Sequence, residues 1–183
     1  EKAEGAFTGE ISLPMLLDIG IRWTLIGHSE RRQYFNETDS SVAAKTKAAL
    51  AADVHPIVCV GETRAEREAG QMEVVLRRQM EAVLAVCAQD SQFTIAYEPV
   101  WAIGTGLTAT DAQAEEAHAF IRNVVRQKLG GLADRLRILY GGSVKSSNIQ
   151  GLLAQANVDG ALIGGASLDP LEFGKTVTLA ATR

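Results

Sequence analysis

Phe93-Thr94-Ile95-Ala96-Tyr97 runs directly into Glu98-Pro99, and this junction decides how the rest of the chain reads. The run is apolar without alternation, the pattern of a strand buried on both faces of a parallel sheet. Pro99 restricts the backbone just where the carboxylate emerges. Four more runs of the same character lie on either side: Trp23 to Gly27, Pro56 to Gly61, Leu136 to Tyr140 and Ala161 to Gly165. The stretches between them carry helical periodicity. The clearest puts Met72, Leu76, Met80, Val83, Leu84 and Cys87 on one face, with Glu73 spaced to pair with Arg77 at i,i+4. Thr63 with Glu66, Thr110 with Gln113 and Ser147 with Gln150 read as capping boxes at helix starts. Strand and helix therefore alternate from Trp23 onward, which predicts βα units with right-handed crossovers.

No linker or shift in composition divides the 183 residues, so residues 1–183 read as a single domain. A hydrophobic fraction of 46% with 22% charged residues is that of a folded globular chain. A net charge of -4 supplies no basic field for a phosphate backbone, so nucleic acid is not expected as a partner. No apolar stretch approaches the roughly 18 residues of a membrane span, and Glu1-Lys2-Ala3-Glu4 does not read as a signal peptide. Cys59 and Cys87 lie in apolar runs and make no disulfide framework, which suits a reducing compartment. The expectation is a cytoplasmic protein without a membrane partner.

The polar residues gather at the C-terminal ends of the predicted strands. His28-Ser29-Glu30 follows the first, Glu62 the second, Glu98 the third and Gly141-Gly142-Ser143 the fourth, while Gly164-Gly165 closes the fifth. In a parallel sheet those ends share one side, as on the catalytic face of a (β/α)8 barrel or in the crevice of a doubly wound sheet. Five strands cannot close an eight-stranded barrel. For a barrel of about 250 residues, roughly 65 to 70 residues and about three βα units are expected before Glu1.

Glu98 is a candidate general base, against the plainer reading of a salt-bridged strand-end glutamate. The loop Val100-Trp101-Ala102-Ile103-Gly104-Thr105-Gly106 is apolar and glycine-bearing, suited to closing over a substrate; otherwise it is an ordinary turn. The two glycine pairs offer unobstructed backbone N–H groups to an anion such as phosphate, although a lone Gly-Gly after a strand is usually only a turn. Neither pair fits a dinucleotide fingerprint or a Walker lysine loop. His28 opens a helical segment whose dipole disfavours imidazolium, so a neutral ring could donate to a substrate carbonyl. His55 and His118 lack ligand spacing, so no metal is expected. Arg31 and Arg32 read as solvated or ion-paired, and Cys59 as a buried strand residue. Two other functions fit the same residues: a different phosphate-binding barrel isomerase or lyase, and an inactive fragment or binding-only relative.

Six segments in order resemble the triosephosphate isomerase family: Gly5 to Glu10, Gly27 to Arg32, Cys59 to Thr63, Ala96 to Gly106, Tyr140 to Val144 and Gly164 to Leu168. The resemblance covers nearly the whole chain. It implies a TIM (β/α)8 barrel, here N-terminally incomplete with about five βα units, and cofactor-free interconversion of glyceraldehyde 3-phosphate and dihydroxyacetone phosphate through an enediolate. It implies Glu98 as the proton acceptor, His28 as the electrophile and Glu30 as a supporting carboxylate. Backbone N–H groups of Gly104, Ser143, Gly164 and Gly165 would hold the substrate phosphate. A lid from Pro99 to Ala109 would close against Tyr140 and Ser143. The Ala6 to Glu10 loop would enter a second subunit, placing Thr8 at the interface of a homodimer. The family's active-site Asn and Lys belong to its first strand, which has no counterpart here. Leu107 stands for a common Lys, and Asp111 for a common Pro at the first helical position. Asn157 stands where many relatives carry an Asp that pairs with the arginine matched by Arg122. From this last difference, Asn157→Asp is expected to stabilise the full-length protein modestly if the pair is largely buried.

Overall fold

In a computed structural model, residues 1–103 and 108–182 are described. Five strands, β1 (Trp23–Ile26), β2 (His55–Val60), β3 (Thr94–Tyr97), β4 (Arg137–Tyr140) and β5 (Gly160–Ala161), form one sheet in the order β1-β2-β3-β4-β5, every pair parallel. Sequential order is the arrangement of a barrel wall. A doubly wound sheet would reverse direction at a switch point, so the structure decides between the two architectures left open above.

Eight α-helices accompany the sheet among the described residues: α1 (Leu13–Asp18), α2 (Ser29–Tyr34), α3 (Asp39–Ala51), α4 (Arg64–Glu68), α5 (Met72–Leu84), α6 (Asp111–Leu129), α7 (Ile149–Leu153) and α8 (Pro170–Ala180). Helices α3, α5, α6, α7 and α8 pack side by side in chain order along the outer face. Helix α5 buries Met72, Val75, Leu76, Met80, Val83 and Leu84, each buried side chain contributing roughly 1.5–3 kcal/mol. Helix α6 turns Ala114, Ala117 and Ile121 to the sheet, where the small residues permit close approach. The central strand β3 is buried at all of its residues, whereas Trp23 and Leu25 of edge strand β1 remain half-exposed.

Three local expectations are corrected. The fifth strand spans only Gly160–Ala161, so Gly164-Gly165 lies beyond it and opens a 3-10 turn, Gly165–Leu168. Glu73 and Arg77 form no ion pair among the described residues. Arg77 instead reaches across to α6, donating to Gln127 at 3.3 Å and lying over the Phe120 ring. Of the three capping boxes, those at Thr63 and Thr110 form. Ser147 does not cap, because α7 starts later and Asn148 occupies the cap position with its side chain turned back into the preceding loop. A further box, Thr38 with Ser41, opens α3.

Candidate active site

Strand register sets the site's geometry. Val60, Tyr97, Tyr140 and Ala161 stand level across four strands, so the residues that follow them, Gly61, Glu98, Gly141 and Leu162, form the next row at the C-terminal edge. Backbone bonds continue through that row: the Glu98 N–H donates to Val60 O at 2.8 Å and the Gly141 N–H to Tyr97 O at 2.7 Å. Glu98 thus stands between two glycines. A Cβ on Gly61 would lie 1.7 Å from the Glu98 carbonyl oxygen, and one on Gly141 would lie 3.1 Å from Glu98 Cγ. Gly61 is itself gripped from α5: its N–H donates to Gln79 Oε1 at 2.8 Å and its carbonyl accepts from Gln79 Nε2 at 3.1 Å.

His28 comes from the end of β1, with β2 intervening. Gly27 turns the chain at φ +76°, a conformation that favours glycine, and His28 caps α2 by accepting the Glu30 N–H on Nδ1 at 3.3 Å. That bond leaves Nε2 to carry the proton, and Nε2 lies 3.0 Å from Glu98 Oε1. The Ser29 N–H donates to Glu98 Oε2 at 3.0 Å and its hydroxyl to Oε1 at 3.2 Å. A carboxylate only 2% exposed is therefore met by three donors, all from the β1 end.

Helix-dipole reasoning alone expected a neutral His28. An Nδ1 that accepts the Glu30 N–H belongs to a neutral ring, while the hydrogen bond to Glu98 raises the pKa above the ordinary 6.5 against partial burial. Glu30 is exposed, and it touches His28 through its backbone N–H; its carboxylate makes no ion pair among the described residues.

A buried carboxylate the sequence did not single out, Glu37, holds this turn in place. It accepts from the Gly27 N–H at 2.8 Å and pairs with Lys45 and Arg31. Burial pushes its pKa up, but Lys45, Gly27 and Arg31 together bring it below the usual carboxylate value. Arg32 adds a bond to Gly27 O at 2.9 Å and pairs with Asp39. Arg31 and Arg32 are ion-paired, as one of the two sequence readings had it, and Cys59 is fully buried with its thiol pKa pushed up by that burial.

Glu62 supports the root of the loop after Glu98. Its Oε1 accepts from the Tyr97 hydroxyl at 3.0 Å and from Trp101 Nε1 at 2.9 Å, while Oε2 is buried with no hydrogen-bond partner among the described residues. Burial accordingly raises its pKa. Gly104, and with it the centre of the Pro99 to Ala109 lid, lies outside the described residues. Tyr140 is fully buried, and its hydroxyl lies against the Ala109 backbone at the end of the lid without a hydrogen bond of good geometry among the described residues.

Ser143 is half-exposed, and Gly164 and Gly165 are exposed. None of their backbone N–H groups is bonded to another backbone group among the described residues. A Cβ on Gly164 or Gly165 would meet open space. These segments lie ahead of the α-helices that follow them, since α7 and α8 begin further along at Ile149 and Pro170. Thr8 lies in an exposed segment that is fastened by Glu10 to Arg31 at 2.7 Å. No group of three potential metal ligands occurs among the described residues, and no described helix is long and apolar enough to cross a membrane.

Of the candidates, His28 and Glu98 are brought into contact and Ser143, Gly164 and Gly165 share their edge of the sheet. Ser29 was noted only as a neighbour of His28, and Glu37 and Gln79 escaped the sequence reading. Gln79 alone left a signal, a polar residue on the apolar stripe of α5.

An all-parallel sheet wound in sequence order, with an imidazole and a carboxylate meeting over its C-terminal edge, defines an enzyme of the (β/α)8-barrel class. The family model described as triosephosphate isomerase matches residues 1–180, and the chain belongs to the triosephosphate isomerase family. Curated relatives named triosephosphate isomerase include that of Delftia acidovorans, 57% identical over 173 residues, which covers 92% of this chain and 68% of the relative. That of Geobacter metallireducens is 57% identical over 177 residues, 95% of this chain and 70% of the relative. That of Endomicrobium trichonymphae is 54% identical over 178 residues, 96% of this chain and 71% of the relative.

Proposed function

We propose that the chain carries the acid–base half of a site that interconverts dihydroxyacetone phosphate and glyceraldehyde 3-phosphate by proton transfer, with Glu98 as base and His28 as electrophile. The observation that carries this reading is the 3.0 Å approach of His28 Nε2 to Glu98 Oε1 over the C-terminal strand edge. Donor and acceptor are then close enough to serve one small substrate at adjacent atoms. At rest, Glu98 occupies the His28 and Ser29 donors. A substrate carbonyl oxygen replaces it on Nε2–H, and the freed carboxylate turns to the neighbouring carbon. Gly141, where a Cβ would lie 3.1 Å from Glu98 Cγ, leaves room for that turn.

Glu98 removes the carbon-bound proton, the electron pair moves into the carbon–carbon bond, and His28 hydrogen-bonds the oxygen on which negative charge develops. Return of the proton to the second carbon completes the exchange, with no net oxidation and no cofactor. Backbone N–H groups of Ser143, Gly164 and Gly165, with Gly104 from the lid, hold the phosphate. Glu30 supports His28 through its backbone N–H. Tyr140 and Ser143 serve as contacts for the closed lid, and Thr8 belongs to the homodimer interface. The reading includes a cytoplasmic location.

The test is isomerisation of dihydroxyacetone phosphate in D2O by a coupled assay. Proton transfer through Glu98 lets solvent deuterium reach carbon 2 of the product whenever the carboxyl proton exchanges before its return; turnover retained in Glu98→Gln with an undeuterated product would indicate a hydride shift and remove Glu98 from the role. Absence of turnover with either triose phosphate would favour a binding-only relative.

A further inference from the structure

Two glycine-bearing loops on neighbouring strands can grip one anion only if they are held in fixed relation to each other. Glycine-rich backbone does not provide this by itself, because it is the most conformationally free segment of a chain. Hydrogen bonds to a shared anion lose most of their value when donors are misplaced by about 0.5 Å or more. Something must therefore fasten the loop after β4 to the loop after β5.

The fastening is visible in two side chains. Glu172, in the first turn of α8, accepts the Ser146 N–H on Oε1 at 2.7 Å and the Ser146 hydroxyl on Oε2 at 3.2 Å. Asn148 accepts the Lys145 N–H at 2.8 Å and donates from Nδ2 to the Ser143 carbonyl at 3.0 Å. Continuous bonding thus runs from Ser143 through Asn148 and the Lys145–Ser146 backbone to the helix that follows Gly164-Gly165. We propose that Glu172, working with Asn148, is a positioning residue that locks the Gly141–Ser146 loop to α8 and so sets the Ser143 N–H against those of Gly164 and Gly165. This rests on the reading of those N–H groups as the phosphate site.

An acidic side chain so close to a phosphate site cannot be a ligand for the anion. Its charge is satisfied locally, because both oxygens are occupied by Ser146 and the carboxylate stands at the positive end of α8. Those contacts, first among them the Ser146 backbone bond, lower its pKa, so it remains ionised and keeps accepting through the neutral range. An ordinary acidic residue in a first helical turn would be directed to solvent or to its own helix. Glu172 spends both oxygens on one residue 26 positions away.

The experiment measures binding of inorganic phosphate by isothermal titration, together with kcat and KM for dihydroxyacetone phosphate, in the wild-type protein and in Glu172→Ala and Glu172→Gln. Glu172→Ala is expected to weaken phosphate binding and raise KM by about tenfold, the scale of one lost charge-assisted hydrogen bond, with kcat within about twofold. Glu172→Gln keeps an acceptor for the Ser146 N–H and offers a donor to its hydroxyl, so it should restore both quantities to within about twofold. A merely structural role would lower thermal stability without this split between KM and kcat. Should Glu172→Ala fail to fold, Asn148→Asp keeps the acceptor for Lys145 but sets an anionic oxygen where the donor to Ser143 stood, and it too should weaken phosphate binding. Phosphate affinity unchanged in Glu172→Ala or in Asn148→Asp overturns the proposal alone. Failure of the wild-type protein to bind phosphate overturns the reading of the anion site, and this proposal with it.

Discussion

Shortening Glu98 by one methylene keeps its charge but withdraws the carboxylate by about an ångström from the carbon it must reach, an error that costs on the order of 10²-fold in rate. Glu98→Asp should therefore lower kcat about 100-fold with KM nearly unchanged, since the phosphate is held elsewhere. Steady-state kinetics that place the loss in KM would remove Glu98 as the base. The same carboxylate governs the charge of His28. Its hydrogen bond is the largest cause raising the imidazole pKa above 6.5, so Glu98→Gln should move the His28 titration downward when followed by NMR. The sign for stability follows: the raised pKa contributes stability that is fully present below the ordinary value and is lost as pH rises through the folded-state value. An unshifted titration in the variant would show that another group sets the pKa.

Asn157 reverses an expectation at this same scale. Its Oδ1 accepts from Arg122 Nε at 2.8 Å, while its Nδ2 donates to Glu115 at 2.6 Å. The amide bridges a cation and an anion, and Arg122 already has a carboxylate partner in Asp159 at 2.6 Å. Asn157→Asp would lose the donor and set two carboxylates against each other. Thermal melts should show destabilisation of about 1 kcal/mol, not the gain expected from the sequence; a raised Tm would contradict this account.

Helix starts provide the test at the level of elements. Thr110 closes a reciprocal capping box on the 19-residue α6, accepting the Gln113 N–H and giving its own N–H to Gln113. Thr110→Ala should cost about 1 kcal/mol. Ser147→Ala should change stability by less than about 0.5 kcal/mol, because Ser147 caps nothing. Equal losses in paired denaturant titrations would mean that Ser147 supports α7 in a way its position does not suggest.

Across the whole molecule, the sheet ends in two open flanks. Ile19, Trp23 and Leu25 are exposed on the β1 side, and Leu168, Leu171 and Val177 on the β5 side. Cavities of about 670 Å³ and 440 Å³ lie along these flanks, the first touching Leu25 and the second Gly160. Unpaired strand edges beside exposed apolar side chains associate in water. The 183-residue polypeptide by itself should therefore self-associate in sedimentation velocity; a monodisperse monomer with a cooperative melt would contradict that.

What the sequence determined by itself was carried by short-range pattern. Apolar runs without alternation marked the strands, amphipathic spacing marked α5, the Thr110 capping box marked the start of α6, and turn residues placed His28 and Glu98 at strand ends, because these signals depend on neighbours a few positions away. The tertiary structure alone decided what depends on contacts between distant positions. Strand order made the sheet a barrel wall, register placed Glu98 between Gly61 and Gly141, and side chains remote in sequence took the decisive bonds. Asn148 turned into its loop instead of leaving Ser147 to cap, Arg77 chose α6 over Glu73, and His28 gained in Glu98 a partner that raises its pKa. Each of these outcomes is a competition for a hydrogen-bond or ion partner, and the winning partner enters only when the chain has folded.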